Sequence, residues 1–350
     1  MNKTRIAVIG VGALGRHHAR ILSGFDDVEL VGVVDAREDQ GRQIATQHQT
    51  QWFRSAEQVL GAVDGVVVAV PTVAHLNVAR PFLQAEIPVL MEKPLAASLS
   101  ESKELHALAQ RSGTLLQVGH VERFNPAFEH LRTLTSQPLN IRCQRVSPYT
   151  FRSTDIGVVH DLMIHDIDLA LSLCGGSATV QSVDSFGAVT IGPHEDMAVS
   201  RLRMSNGVII DLTASRMCPS AERSIQIWAA DGYFSADLQT RKVTSWQPAP
   251  MLRQNPGLVH LIAQATPNPL SLKDEVFTKW MQKTEVELPA QDALTAELKD
   301  FVNAIRTGAR PRVTSTDAVR AMDVADQVLS SLTLWSYQTG STQSQNRNAA

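Results

Sequence analysis

Residues 6–15 leave this chain few choices of fold. Ile6-Ala7-Val8-Ile9 is a short apolar run, and it leads without a spacer into Gly10-Val11-Gly12-Ala13-Leu14-Gly15. A stretch of helical periodicity then continues to about Ser23. A strand that is apolar on both faces belongs in a parallel sheet, where crossover helices cover both sides. Glycines at this spacing permit a tight strand-to-helix turn. They let backbone N–H groups approach a pyrophosphate, which then lies at the positive end of the helix. The glycine pattern alone is a weak signal; the strand before it and the helix after it give it meaning. Gly10, Gly12, Ala13, Leu14 and Gly15 are therefore the first cofactor-binding candidates.

The next units continue the pattern. Val28 to Val34 reads as a second strand and ends at Asp35, placed to hydrogen-bond a ribose diol. Its charge would repel a 2′-phosphate, which favours NAD over NADP. Arg37 argues the other way, since it could receive that phosphate. Asp64 to Val70 is a further apolar strand, closed by Pro71-Thr72, with His75 just inside the following helix. Pro71, Thr72 and His75 fall at the strand's carboxyl end, where a dinucleotide lies in such folds. His75 also reads as a capping or packing residue. Pro88 to Met91 delivers Glu92-Lys93-Pro94. The residue before a proline is pushed to an extended conformation, so Lys93 is held at a strand's end. There its ammonium can polarise a carbonyl or hold a hydroxyl, unless it is only a solvated surface lysine. Leu115 to Val118 forms a last strand, ending at Gly119-His120. Residues 1–121 are thus expected to form a doubly wound, parallel α/β Rossmann domain.

From about Glu122 the pattern changes. Strands of alternating character are expected at Ile141 to Val146, Val180 to Phe186, Met197 to Met204, Val208 to Thr213 and Ile225 to Ala230. Asn206-Gly207 and Asp231-Gly232 are hairpin signals between such runs. The expectation is an α+β domain over residues 122–338, with an open-faced, mainly antiparallel sheet. Gln247 to Pro269 reads as a loop, and Asp292 to Thr307 and Thr316 to Ser331 as helices that can return to the first domain. Residues 339–350 read as a polar, disordered tail.

The second domain also carries Asp161-Leu162-Met163-Ile164-His165-Asp166-Ile167-Asp168. On a helix stopped by Gly175-Gly176, Asp161 and His165 share a face, and most of their neighbours are apolar. A carboxylate and an imidazole in such surroundings need partners or work to do. A satisfied core pair and an acid/base pair are the two readings. A metal reading would need Asp161, His165 and Asp168 to gain a third or fourth ligand and an open position, and nothing nearby insists on one.

Composition narrows the partners. The 350 residues carry a formal net charge of -3 and a pI near 6.4, which does not suggest nucleic acid or an anionic membrane surface. Three scattered cysteines offer no zinc spacing and fit a reducing compartment. No apolar run approaches a membrane span, and the first strand is too short for a signal-peptide core. A cytoplasmic protein is expected.

Taken in order, Gly10 to Gly15, Asp35, Glu92-Lys93-Pro94, Arg123-Phe124-Asn125-Pro126, Asp161…His165 and Glu297-Leu298…Phe301…Ile305-Arg306-Thr307-Gly308 resemble the glucose-fructose oxidoreductase/inositol dehydrogenase/MocA family of NAD(P)-dependent sugar oxidoreductases. The resemblance implies a Rossmann domain, an open-faced sheet domain, and homodimers or homotetramers built on that sheet. It implies cofactor contacts at Glu92 and Lys93, with Lys93 also touching the reacting hydroxyl. His165 would be the general acid/base and Asp161 the carboxylate that orients it. The stretch Phe151 to Asp168 is similar to the subgroup that oxidises the 3-hydroxyl of UDP-N-acetylglucosamine. There the keto sugar goes on to an aminotransferase, for lipid A or surface polysaccharide. A nucleotide diphosphate needs cationic or backbone-amide contacts, and Arg123, Arg145 and Arg152 are candidates for the former beside their reading as ordinary surface arginines. Dehydrogenation of another polyol, an inositol or a hexose, and a non-catalytic NAD-binding regulator are the alternatives.

Overall fold

A computed structural model describes residues 2–135, 137–151, 156–336 and 341–344. The chain divides into two units, one of Met1–Phe124 with Gln291–Gln327, the other of Asn125–Ala290 with Val328–Ala350.

The first unit is built on six strands, β1 (Thr4–Ile9), β2 (Val28–Val34), β3 (Gln51–Phe53), β4 (Gly65–Val68), β5 (Val89–Glu92) and β6 (Leu116–Gly119). They pair in the order β3-β2-β1-β4-β5-β6, and every pairing is parallel. Helices α1 (Gly15–Leu22), α2 (Glu38–Gln47), α3 (His75–Gln84) and α4 (Leu99–Ser112) cross between them. The sheet separates two apolar cores. Phe82, Leu83, Leu105 and Met91 belong to one. Ile6, Leu22, Leu298 and Phe301 belong to the other. Leu298 and Phe301 come from the late helix α9 (Ala293–Thr307), whose apolar stripe faces the sheet while its other side is solvated. The strand order reverses between β1 and β4, and in such sheets ligands sit beyond the carboxyl ends at that point. Strand β4 stops at Val68, two residues short of the expected Val70, and Ala69 and Val70 enter the following loop.

The second unit has α5 (Pro126–Leu134) and α6 (Ile164–Leu173) on a ten-stranded sheet. Its strands are β7 (Pro138–Val146), β8 (Val180–Val189), β9 (Met197–Met204), β10 (Ile209–Ser215), β11 (Glu222–Ala229), β12 (Gly232–Asp237), β13 (Lys242–Pro248), β14 (Met281–Glu287), β15 (Leu332–Ser336) and β16 (Ser341–Ser344). The order is β14-β13-β12-β11-β7-β10-β9-β8-β15-β16. Pairing is antiparallel except at β7/β10 and β8/β15. Strand β9 buries every second residue from Ala198 to Met204 and leaves those between them exposed, so one face is core and the other is open. Phe186, Val199 and Trp228 lie exposed. Both hairpin signals are used, with Gly207 at φ +87° and Gly232 at φ +148°.

Three expectations are corrected. The segment read as a loop from Gln247 begins with the end of β13 and then forms two short helices, α7 (Pro250–Gln254) and α8 (Leu258–Ala265). Of the stretch expected to be a disordered tail, residues 341–344 form β16, held by backbone pairing to β15 rather than by apolar side chains. The helix expected from Asp161 starts earlier, with a π-helical turn over Val159–Met163. The last helix, α10 (Ser315–Ser331), spans the residue at which the two units divide. Among the described residues, no helix is long and apolar enough to cross a membrane.

Candidate active site

In the first unit the glycine turn is shaped for a ligand. Gly10 sits at φ +82°, and a Cβ there would meet the Ala69 carbonyl oxygen at 2.7 Å. A Cβ on Gly15 would overlap the Gly10 carbonyl. Both positions are closed to side chains by backbone. Gly12 differs: a Cβ there would meet only the Arg37 guanidinium, at 4.0 Å. Gly12 thus borders open space, and helix α1 begins after Leu14 without a side-chain cap or an acidic residue in its first turn. Unsatisfied N–H groups beside open space fit a pyrophosphate.

Asp35, 9 % exposed, directly follows β2. Its Oδ2 accepts from Val11 N–H at 3.0 Å and its Oδ1 from Arg37 N–H at 2.9 Å. The carboxylate therefore ties the glycine loop to the second strand, and its remaining lone pairs suit a ribose hydroxyl. The Arg37 side chain is 69 % exposed, with its Nε 3.7 Å from Asp35 Oδ1. Gln40, which belongs to no motif, donates through Nε2 to the Val11 carbonyl at 2.5 Å.

Pro71 is exposed and Thr72 half-buried at the start of a single 3₁₀ turn. His75 behind them is buried. Its Nδ1 faces the carbonyls of Pro94 and Leu95 at 3.0 and 3.3 Å, and its Nε2 faces the Val70 carbonyl at 3.1 Å. The ring joins the loop after β4 to the loop after β5, which is the packing reading. Burial is the main cause that lowers its pKa.

Glu92 ends β5 and Lys93 follows it, both half-buried, and the Lys93–Pro94 bond is cis. Glu92 Oε1 lies 2.6 Å from His18 Nε2, and Glu92 Oε2 accepts from Lys93 N–H at 3.2 Å. Burial opposes ionisation of Glu92. The hydrogen bond and charge of His18, with Lys93 nearby, outweigh it and hold the carboxyl below the usual range. Arg123 is buried on the 3₁₀ turn Val121–Phe124, 4.0 Å from Asp317, and its carbonyl accepts from Arg312. Both of these contacts lie within its own unit.

In the second unit Asp161 and His165 are half-buried, one on the π turn and the other in the first turn of α6. Asp161 N–H donates to the Gly157 carbonyl at 3.1 Å. Asp166 and Asp168 point into the protein, 2 % and 1 % exposed. Asp166 accepts from Arg145 Nε and Nη2 at 3.1 and 2.8 Å. Arg145 is consumed by that buried ion pair, which corrects its candidacy as a diphosphate ligand. Arg152 lies outside the described residues. Lys93 belongs to the first unit and Asp161 and His165 to the second.

Two family models match this chain. The oxidoreductase family model for the NAD-binding Rossmann fold covers residues 4–120, and the GFO/IDH/MocA C-terminal domain covers residues 127–235. The chain belongs to the Gfo/Idh/MocA oxidoreductase family. It is 33% identical over 302 residues to UDP-N-acetylglucosamine 3-dehydrogenase of Acidithiobacillus ferrooxidans, covering 86% of this chain and 88% of that one. It is 26% identical over 344 residues to scyllo-inositol 2-dehydrogenase (NAD(+)) of Bacillus subtilis, covering 92% of each. A solved structure of the Acidithiobacillus ferrooxidans enzyme, GnnA, matches with a TM-score of 0.82 at 30% identity, over 95% of this chain and 98% of that one. The first unit is an NAD-binding Rossmann domain, and the chain is an oxidoreductase of the sugar and polyol type.

Proposed function

We propose that this protein is an NAD-dependent dehydrogenase of a nucleotide sugar, oxidising the 3-hydroxyl of UDP-N-acetylglucosamine to the 3-keto sugar. The observation that carries the reading is the 33% identity to the Acidithiobacillus ferrooxidans enzyme over most of both chains. The bound dinucleotide would supply the hydride acceptor. Gly10 to Gly15 would hold its pyrophosphate and Asp35 its ribose. His165 would take the hydroxyl proton, with Asp161 fixing the imidazole tautomer and Lys93 stabilising alkoxide charge as it develops. The 3-keto product is the kind of carbonyl that an aminotransferase converts to an amino sugar. NAD and a UDP-sugar meet in the cytoplasm, where this reading places the enzyme. The open face of the second sheet, with Phe186, Val199 and Trp228 exposed, is the surface on which a homodimer or homotetramer would form.

The test is NADH formation by the purified protein with UDP-N-acetylglucosamine, myo-inositol and glucose in parallel, with the keto product identified by mass. Turnover of the UDP-sugar alone supports the reading. Turnover of myo-inositol instead would favour the second reading, for which the similarity to the Bacillus subtilis inositol enzyme speaks. NAD binding with no turnover of any sugar would leave a regulator.

A further inference from the structure

In the second unit, the start of the segment bearing Asp161 and His165 is built around a glutamate on a distant loop. Val159 N–H donates to Glu195 Oε1 at 3.1 Å. Val158 N–H donates to the Glu195 carbonyl at 3.1 Å. Glu195 is 7 % exposed. It thus satisfies two of the N–H groups that a helix start leaves without intrahelical partners. Gly157 closes the arrangement: a Cβ there would overlap the Glu195 carboxylate, so only glycine lets the two meet.

The residue after Glu195 is held by a dense set of hydrogen bonds. Asp196, fully buried, accepts through Oδ2 from the N–H groups of Thr190, Ile191 and Gly192 at 2.7, 2.6 and 3.2 Å. Its Oδ1 accepts from Arg216 Nε at 2.7 Å. Arg216 Nη1 in turn donates to the Ile156 carbonyl at 3.1 Å, next to Gly157. Glu195 is therefore locked through Asp196 to the end of β8 and, through Arg216 just past β10, to the chain entering the π turn.

We propose that Glu195, seated on Gly157 and capping Val159, is a positioning residue that fixes the turn on which Asp161 and His165 are carried. The catalytic consequence rests on the function proposed above, and the anchoring itself rests only on the geometry of the second unit. A π turn interrupts regular helix bonding, so its end must be held from outside if the two side chains are to keep one geometry. An amide carbonyl can accept the Val159 hydrogen bond as a carboxylate does, whereas a methyl group leaves that N–H without an acceptor.

The experiment uses the full chain with NAD and the substrate identified by turnover. Glu195→Ala is expected to lower kcat by about 10- to 100-fold, the scale of a displacement near 1 Å at reacting groups. KM for NAD should stay within about twofold, since the glycine turn belongs to the other unit. The primary isotope effect with substrate deuterated at the reacting carbon should rise, because hydride transfer becomes slower than the steps around it. Amide exchange across residues 158–165 should accelerate. Glu195→Gln should stay within about threefold of the parent in kcat and match it in exchange. A fall in kcat with exchange and isotope effect unchanged would overturn the proposal, because that is the signature of a smaller folded fraction. Faster exchange in Glu195→Gln would also overturn it, and that comparison holds even where Glu195→Ala does not fold. If no sugar is turned over, the proposed function fails, and the exchange comparison alone still decides whether Glu195 anchors the turn.

Discussion

His18 Nε2 lies 2.6 Å from Glu92 Oε1, and both side chains are nearly closed to solvent. Helix α1 thereby grips the residue before Lys93. Replacing His18 with leucine strands a carboxylate whose partner is gone, at a cost of about 1–3 kcal/mol. Glu92 titrates below its usual range in the folded chain, so its contribution to stability is present above the unfolded carboxyl pKa and lost as pH falls through the folded value. The melting temperature of His18→Leu should therefore fall furthest below the parent near neutrality, and the gap should close below about pH 4. A pH-independent gap would mean that the lost packing matters and the pair does not.

His165→Ala should lower turnover by about 100-fold or more, the scale for a positioned general base. NAD binding, followed by fluorescence titration, should be unaffected, because the glycine turn and Asp35 belong to the other unit. A loss below threefold would contradict the assignment. Lys93→Met should lower kcat more than it raises KM, since an ammonium that meets alkoxide charge acts mainly in the transition state. Equal losses in binding and turnover would make Lys93 a substrate anchor instead.

What could be read from residue order differs between the two units for a physical reason. The Rossmann strands declare themselves because burial on both faces forces continuous apolar runs, as at Gly65–Val68, all four residues of which are buried. The first hairpins declare themselves through Asn206-Gly207 and Asp231-Gly232. Strands β13 and β14 do not, because β14 buries none of its residues and reads as polar chain. The π turn at Val159–Met163 is invisible in an apolar stretch, where widening the helix by one residue changes no pattern. Arg145 looked like a free cation until the fold supplied Asp166, 21 residues further on. Glu195 and His18 carry no local signal, since their partners are 36 and 74 residues away.

On the proposed function, Asp35 would govern the choice between dinucleotides. It directly follows β2 with its carboxylate tied to the glycine loop, and a 2′-phosphate would bring negative charge against it. Asp35→Ala should narrow the ratio of kcat/KM for NAD over NADP, and the exposed Arg37 is free to meet the added phosphate. Because the same carboxylate holds Val11 N–H, KM for NAD should rise as well. Asp35→Asn retains the hydrogen-bond acceptor without the charge. It should therefore relax the discrimination with a smaller loss of NAD affinity. An unchanged ratio in both variants would remove Asp35 as the ribose partner.

Glu297 offers a stability prediction of the opposite sign. It lies on α9, fully buried, and neither carboxyl oxygen has a hydrogen-bond partner among the described residues. Burial pushes its pKa well above the ordinary carboxyl value, and the negative charge of Glu92 pushes it further. An acid whose folded pKa is raised contributes its full stability below the unfolded pKa and loses it as pH climbs toward the folded one. In that window the unfolded chain has shed the proton that the fold insists on keeping. Glu297→Gln removes the titration while keeping volume and shape. The variant should therefore be little changed in acid and more stable than the parent at neutral and alkaline pH, with each kcal/mol recovered raising the melting temperature by about 2–4 °C. Thermal melts of both proteins across that range provide the check. Parallel curves would show that Glu297 is ionised in the fold, held by an interaction these contacts do not include.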